Sequence, residues 1–246
     1  MNMWDTRFLQ ALPERFSQVD APYVTDAEQE WAFFDVLRDV VGRSPFAEEA
    51  DCLQHGTTTI LLHSIAVAHV SCRVARRLGW TDHLPELERA ALLHDFFLYN
   101  WHEPGPGREM HAFMHATRAM RNARRFFPDL SDREADAIRN HMFPLTPVPP
   151  RYREGWLITY ADKWCATYET TLRRGQAYPR LRELCASYLP GLRLDLPQTQ
   201  SGPGVCVPVC TTAPTYLVSS PSAPASSTLM GSAVDRLRSL VRSATR

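Results

Sequence analysis

The sequence lacks several motifs that would assign its chemistry directly. It has no glycine-rich phosphate-binding loop and no motif that presents a serine as a nucleophile. Its six cysteines form no CxxC pair and no regular framework, so a disulfide scaffold is not indicated. Free thiols are typical of a reducing compartment. These absences exclude P-loop nucleotide hydrolases, serine hydrolases and small disulfide-rich proteins.

Long hydrophobic runs and an excess of charge are also absent. No apolar run approaches the roughly 18 residues that a membrane span needs, and the N-terminus lacks the pattern of a signal peptide. The formal net charge is zero, and no basic stripe with interleaved aromatic residues is visible. We therefore expect a cytoplasmic protein without a membrane or nucleic-acid partner.

Apolar residues at helical spacing make up most of the chain before residue 190. With 246 residues, of which 44% are hydrophobic, the chain can bury a sizeable core. No segment in this part shows convincing strand alternation, so we predict an all-α helical bundle. The predicted helices span residues 26–43, 57–78, 85–95, 110–127, 131–141, 152–171 and 180–188.

The composition changes near residue 191. We predict a helical domain over residues 1–190 and a flexible, proline- and serine-rich tail over residues 191–246. Residues 233–242 form a short basic amphipathic pattern that either folds into a helix or stays disordered. The CxxxC spacing of Cys206 and Cys210 is a weak zinc signal, because no histidine is nearby.

Polar side chains fall on the apolar faces of four predicted helices. His63 lies in the stripe of Ile60 and Val67, and His94 follows Leu87 and Ala91 at helical spacing. A single histidine on an apolar face is more often a hydrogen-bonded core residue than a ligand. The argument for a ligand therefore depends on the other helices.

Two further helices repeat the pattern. His141 shares a face with Ile138, and Asp162 shares one with Ile158. Burying imidazoles beside carboxylates costs free energy unless a partner such as a divalent cation pairs with both. Inward histidines and carboxylates from facing helices are how helical bundles build metal sites, so we predict a metal site.

The same residues occur in an order that resembles a known family. The segments LLHSIAVAHVS, with His63, ALLHDFF, with His94 and Asp95, and ITYADKWCA, with Asp162, resemble the HD superfamily of metal-dependent phosphohydrolases. The resemblance covers about residues 51–169. The segments HGTTT and HDFFLYNWHE are similar to a bacterial subgroup whose substrate is not indicated. Two later histidines, His115 and His141, look like those that follow the pair in dinuclear members.

The resemblance implies one or two divalent transition-metal ions, of iron, manganese, zinc or cobalt. With two ions, Asp95 would bridge them and take a direct part in catalysis. Lys163 and Arg118 would contact a substrate phosphate, or else are solvated helix residues. The implied metal ligands are His63, His94, Asp95, His115, His141 and Asp162.

The remaining histidines leave alternatives open. His111 lies one turn before His115 and is the second choice for its ligand position. His55 either approaches the site or caps the helix that follows it. His102 and Glu103 can reach the mouth of the site and protonate a leaving group, although a surface position fits them better. We take the other two, His69 and His83, as structural or exposed residues.

The function that the resemblance implies is hydrolysis of a phosphate ester by a metal-activated water. The expected partner is a small phosphorylated substrate, either a nucleotide or another metabolite. A di-iron oxygenase and a non-catalytic nucleotide-binding regulatory module are the alternatives. The complete series of ligands argues against the regulatory module.

Overall fold

Seven α-helices dominate the part of the chain that the computed structural model describes, which comprises residues 27–102, 110–172 and 177–196. The prediction of a helical fold is confirmed. The predicted tail from residue 197 onward, with Cys206, Cys210 and the helix over 233–242, lies outside the described residues, as do residues 103–109. In chain order the helices are α1 (Ala27–Arg43), α2 (Ile60–Arg77), α3 (Leu84–Leu92), α4 (His111–Phe126), α5 (Asp132–Asn140), α6 (Arg153–Thr167) and α7 (Pro179–Tyr188).

Three short elements join these helices. A 3-10 helix, Pro45–Asp51, follows α1, and a π-helical turn, Tyr168–Leu172, continues α6. An antiparallel hairpin of β1 (Leu53–His55) and β2 (Thr58–Thr59) precedes α2. The all-α prediction did not include this hairpin, whose strands are too short to show alternation.

The central helix is α2, which packs mainly against α3 and α6. Nearly all of its side chains are buried, as expected for a helix that is apolar around its circumference. Its predicted start at residue 57 was wrong, because Thr59 ends β2 and accepts a hydrogen bond from the backbone N–H of Leu62 as the N-cap. Gly79 follows α2 with a φ of 70°, the left-handed conformation typical of a helix end.

The peripheral helices bury one face each. In α1 the buried residues are Phe33, Phe34, Leu37 and Val40, whereas Trp31 is 54% exposed. A capping box opens α5, since Ser131 and Glu134 exchange both capping hydrogen bonds.

Close packing fixes α6 against α5. A Cβ atom on Gly155 would lie 2.6 Å from a side-chain atom of Pro150 and 3.3 Å from the Cα of Ala137. Only glycine permits this approach without a shift of the neighbours. The contact brings the first turn of α6 against the middle of α5.

Residues 191–196 return to the start of α2. The hydroxyl of Thr59 donates to the carbonyl oxygen of Leu194 at 2.6 Å, and the Leu194 side chain is buried. These six residues thus lie against the helical domain, while the boundary proposed at residue 190 stays a prediction. None of the described helices has the length and apolar character needed to cross a membrane.

Candidate metal centre

The six predicted ligands lie close together in the interior, although they come from distant parts of the chain. Each of these residues, two aspartates and four histidines, is less than a tenth exposed. They are supplied by α2 (His63), the turn after α3 (His94 and Asp95), α4 (His115), the end of α5 (His141) and α6 (Asp162).

His94 and Asp95 do not belong to a helix, and the prediction that α3 carries them was wrong. The helix ends at Leu92, and the N–H of Phe97 donates to the carbonyl of Asp95 in the turn that follows. Consecutive side chains of an α-helix diverge by about 100°. A turn instead allows both side chains to face one centre.

One end of the cluster is formed by His63, His94 and Asp162, which we term the first donor set. The Nε2 atom of His63 lies 3.3 Å from Oδ1 of Asp162, and that of His94 lies 3.9 Å from the same oxygen. One ligand atom from each residue lies within 4.8 Å of the others.

The other end is formed by His94, Asp95 and His141, which we term the second donor set. Asp95 Oδ2 lies 3.4 Å from His94 Nε2, while its Oδ1 lies 3.7 Å from His141 Nε2. His115 joins this end, with its Nε2 at 3.4 Å from Asp95 Oδ1. Asp95 therefore lies between the shared His94 and the two histidines of the second end.

Backbone carbonyls orient three of the four imidazoles. The Nδ1 atoms of His94, His115 and His141 lie 2.8, 2.9 and 2.8 Å from carbonyl oxygens of the preceding turn. A carbonyl oxygen only accepts hydrogen bonds, so each Nδ1 carries the proton. Each Nε2 then presents a lone pair to the centre, which is the arrangement of metal-binding histidines.

Several of these acceptor atoms face no hydrogen-bond donor among the described residues. The Nε2 atoms of His115 and His141 are 3.2 Å apart, and two acceptors at that distance repel unless a cation or proton lies between them. Within the described residues, Nε2 of His94 and Oδ1 of Asp95 have no hydrogen-bond partner. Donor atoms that share one ion at about 2.0–2.2 Å lie roughly 3–3.5 Å apart. The residues present therefore fit one or two divalent ions.

The ionisation states also suit a metal. Burial raises the pKa of Asp95, but the imidazoles of His94, His115 and His141 outweigh it and hold the pKa at about 2. Burial and the nearby His94 lower the pKa of His141 to about 3. At neutral pH this end consequently offers a carboxylate and a neutral imidazole.

The two ends differ in the charge around their histidines. Burial opposes a charge on His63, but the carboxylates of Glu169 and Asp162 outweigh it and hold the pKa of His63 well above its ordinary value. The Nδ1 atom of His141 instead faces the carbonyl of Ile138.

His111 and His115 take different positions. The Tyr99 hydroxyl lies 2.8 Å from His111 Nδ1, and the His111 ring stacks between Trp101 and His115. Burial and His115 lower the pKa of His111 to about 4. The structure thus brings His115 to the centre and leaves His111 in an aromatic stack beside it.

The other histidines lie around or away from the centre. The His55 ring is 5.2 Å from that of His63, so His55 approaches the site, and Thr59 takes the capping position instead. His102 is exposed, and Glu103 lies outside the described residues. His83 pairs with Glu86 at 2.7 Å, and His69 packs on the ring of Phe33, as structural residues do.

Lys163 lies at the edge of the cluster. It is the only lysine in the chain, and its Nζ donates to the carbonyls of His141 (3.2 Å) and Thr159 (3.4 Å). The same atom lies 3.8 Å from Oδ2 of Asp162. Arg118 is half-buried, with its guanidinium 5.2 Å from the centre of the Tyr99 ring.

Two residues that contact the cluster were not predicted. Gln54 donates to Asp95 Oδ2 at 2.6 Å, and its own oxygen accepts from the Trp101 indole at 3.1 Å. Glu169 contacts His63 and follows Asp162 by seven positions, or about two helical turns, so its place on the same face was a usable signal. The short strand that carries Gln54 gives no comparable signal.

Comparison with known proteins gives one match. The model of the HD domain matches residues 60–167, which include all six predicted ligands, and such domains are typical of metal-dependent phosphohydrolases. The chain matches no curated protein and no solved structure. The sequence match and the buried cluster of histidines and aspartates agree, and residues 60–167 are an HD domain.

Proposed function

We propose that this HD-domain protein is a hydrolase that cleaves a phosphate ester of a small metabolite, either a nucleotide or another phosphorylated compound. The observation that carries the proposal is the pair of donor sets that share His94, with Asp95 between them. Uncompensated lone pairs at this place favour a cation, and a divalent cation can both polarise a phosphoryl oxygen and activate a water molecule.

The metal is one or two divalent ions of iron, manganese, zinc or cobalt, since imidazole and carboxylate ligands suit all four. When bound, such an ion generates a nucleophile from water near neutral pH and neutralises charge on phosphate oxygens. Hydrolysis then joins the water oxygen to phosphorus and breaks the ester bond, and the alcohol leaves with a proton. The ligands proposed are His63, His94, Asp95, His115, His141 and Asp162.

The protein groups have separate tasks in this proposal. Asp95 acts at both ends of the cluster, and Gln54 keeps its Oδ2 in place through the 2.6 Å hydrogen bond. Lys163 places a positive charge next to Asp162 at the half-exposed edge, where it can contact a phosphate oxygen. We assign Arg118 the same task on the side of Tyr99.

The substrate is small in this proposal, because the ligands are buried and the chain has no net charge to attract a polyanion. A location in the cytoplasm and the lack of a nucleic-acid or membrane partner belong to the same proposal.

The test combines metal analysis with activity on one sample. Protein purified without added metal or chelator is analysed for its elements and screened against nucleotides, sugar phosphates and other phosphomonoesters. Bound transition metal together with turnover supports the proposal. Retained metal with no turnover on any phosphate ester contradicts it.

A di-iron oxygenase is the second candidate, because the histidine-rich ligand set also suits redox-active iron. Two equivalents of iron, oxygen consumption and no phosphate release would favour it. Absence of metal even after reconstitution would leave a regulatory module that binds a ligand without chemistry.

A further inference from the structure

His63 differs from the other three histidines of the cluster in what its Nδ1 atom faces. For His94, His115 and His141 that atom meets a backbone carbonyl. For His63 it meets the carboxylate of Glu169, with both oxygens at 3.1 Å. A carboxylate is a charged acceptor, so this hydrogen bond polarises the imidazole more than a carbonyl does.

Glu169 is itself held in place. The hydroxyl of Tyr178 donates to Oε1 of Glu169 at 2.9 Å. Glu169 is 1% exposed and Tyr178 is 4% exposed, so water cannot replace either partner. The three side chains form a buried line in which Tyr178 fixes Glu169 and Glu169 fixes His63.

The backbone adopts unusual conformations where these residues lie. Glu169 belongs to the π-helical turn Tyr168–Leu172, a form that is rare and occurs often at functional sites. Tyr178 has a φ of 61°, which costs free energy in any residue other than glycine. Such costs persist where the side chains they place are needed.

The hairpin packs closely on the same turn. Gly56 has a φ of 58°, and a Cβ atom on it would lie 3.2 Å from the carbonyl oxygen of Glu169. The Glu169 backbone is thus confined on the hairpin side as well as by its own helix.

Glu169 could alternatively be a ligand, since one of its oxygens and one nitrogen each of His55 and His63 lie within 4.8 Å of one another. The orientation of His63 argues against this. Its Nε2 faces Asp162 at 3.3 Å, as the Nε2 atoms of the other three histidines face the centre. With Nε2 used there, Nδ1 carries the proton and donates to Glu169.

We infer that Glu169 and Tyr178 are positioning residues that fix His63 with its Nε2 toward the first donor set and make it a stronger metal ligand. The first donor set then binds its ion more tightly than the second. The inference rests on the metal centre of the proposed function and is independent of its substrate.

The first experiment measures cobalt affinity. Metal-free protein carrying His141→Ala, in which the second donor set is disabled, is titrated with Co²⁺ against a competing chelator while the visible absorption of the bound ion is followed. In this background, Glu169→Gln keeps the size and shape of the side chain but removes its negative charge. We expect the Co²⁺ affinity to fall about 10- to 100-fold. Tyr178→Phe should cause a smaller loss in the same direction.

Matched controls separate positioning from general stability. Tyr188 donates to Glu30 at 3.2 Å, the same kind of pair away from the cluster, so Tyr188→Phe should leave Co²⁺ affinity unchanged. In the His63→Ala background, where only the second donor set remains, Glu169→Gln should also have no effect. Helical content by circular dichroism shows that each variant is folded.

The second experiment observes the hydrogen bond directly. In NMR spectra of the Zn²⁺-loaded protein, the proton on Nδ1 of His63 should give a downfield resonance that correlates with the Nδ1 nitrogen. Glu169→Ala should move or abolish that resonance and leave those of His94, His115 and His141 in place. An unperturbed resonance would overturn the inference.

Two other results would also overturn it. Unchanged Co²⁺ affinity in Glu169→Gln would show that the carboxylate has no influence on the ion. Loss of one full equivalent of metal from Glu169→Gln in the otherwise unmodified chain, with unchanged affinity for the rest, would make Glu169 a ligand. A protein that shows the expected shifts but hydrolyses no phosphate ester keeps this inference and rejects only the proposed substrate class.

Discussion

The two ends of the histidine–aspartate cluster offer similar donor side chains but are supported in different ways. At the first donor set, His63 lies between the carboxylates of Asp162 and Glu169. At the second, His115 and His141 are held by neutral carbonyls, and their Nε2 atoms lie only 3.2 Å apart. We therefore expect the two ends to differ in metal affinity, because the groups behind each imidazole determine its basicity and orientation.

Removing Asp95 should have the largest effect, because this residue contacts both ends. We expect Asp95→Ala to lose metal at both donor sets and to reduce hydrolysis at least about a hundredfold, since changes behind a ligand already cost about 10–100-fold. Elemental analysis and the phosphatase assay measure this, with the exposed Asp132→Ala as control. Full activity of Asp95→Ala would contradict the assignment.

Removing one histidine from each end should separate the two. His141→Ala should leave one equivalent of metal bound with nearly unchanged affinity, because the first donor set keeps all its ligands. His63→Ala should remove the tighter equivalent. Isothermal titration of both variants gives stoichiometry and affinity. Equal losses in the two variants would mean that the ends do not differ.

Lowering the pH should reduce the difference in metal affinity between the first and second donor sets. The carboxylates that raise the pKa of His63 favour its protonated form, and the metal must displace that proton from the imidazole. The affinity of the first donor set should therefore fall by up to about tenfold per pH unit below that pKa. His141, with a pKa of about 3, binds no competing proton between pH 6 and 8.

Metal titrations of His63→Ala and His141→Ala across this pH range provide the measurement.

The same pKa shift also determines how the stability of the metal-free protein depends on pH. A raised pKa means that His63⁺ stabilises the fold fully below its ordinary pKa of about 6.5, and this stabilisation is lost as the pH rises through the raised value. If the metal affinities of both donor sets changed with pH in the same way, the two sets would not differ in the proton that competes with the metal.

Replacing Lys163 should weaken substrate binding and leave metal binding at both donor sets unchanged. Lys163→Gln loses a charge-assisted hydrogen bond to phosphate, so we expect kcat/KM to fall about tenfold, mainly through KM, with unchanged metal content. Lys163→Arg keeps the charge and should recover part of the loss. Values within twofold of wild type for Lys163→Gln would make it a surface residue.

Deleting residues 197–246 should have the smallest effect. The segment 191–196 that packs against α2 is retained, so we expect kcat/KM and the affinities of both donor sets to stay within about twofold. A large loss of activity in the truncated chain would mean that this region contributes to the site.

Much of the fold was predictable from sequence because it depends on local patterns. The apolar stripe through Ile60 and Val67 recurs at spacings of three and four positions, as a helix requires, and the capping box at Ser131 marks a helix start. The hairpin before α2 was missed, since its strands of three and two residues are shorter than any alternation that could be recognised.

The inward position of His63, His141 and Asp162 was also a property of the sequence, because each belongs to an apolar face. The sequence by itself determined that these polar groups would be buried, and burial made a partner for them necessary. Tertiary structure alone decided what each atom faces. The turn that aims both His94 and Asp95 inward, the carbonyls that fix the Nε2 lone pairs, and the meeting of His63 with Glu169 across 106 positions arise from the packing of distant segments, which no local pattern encodes.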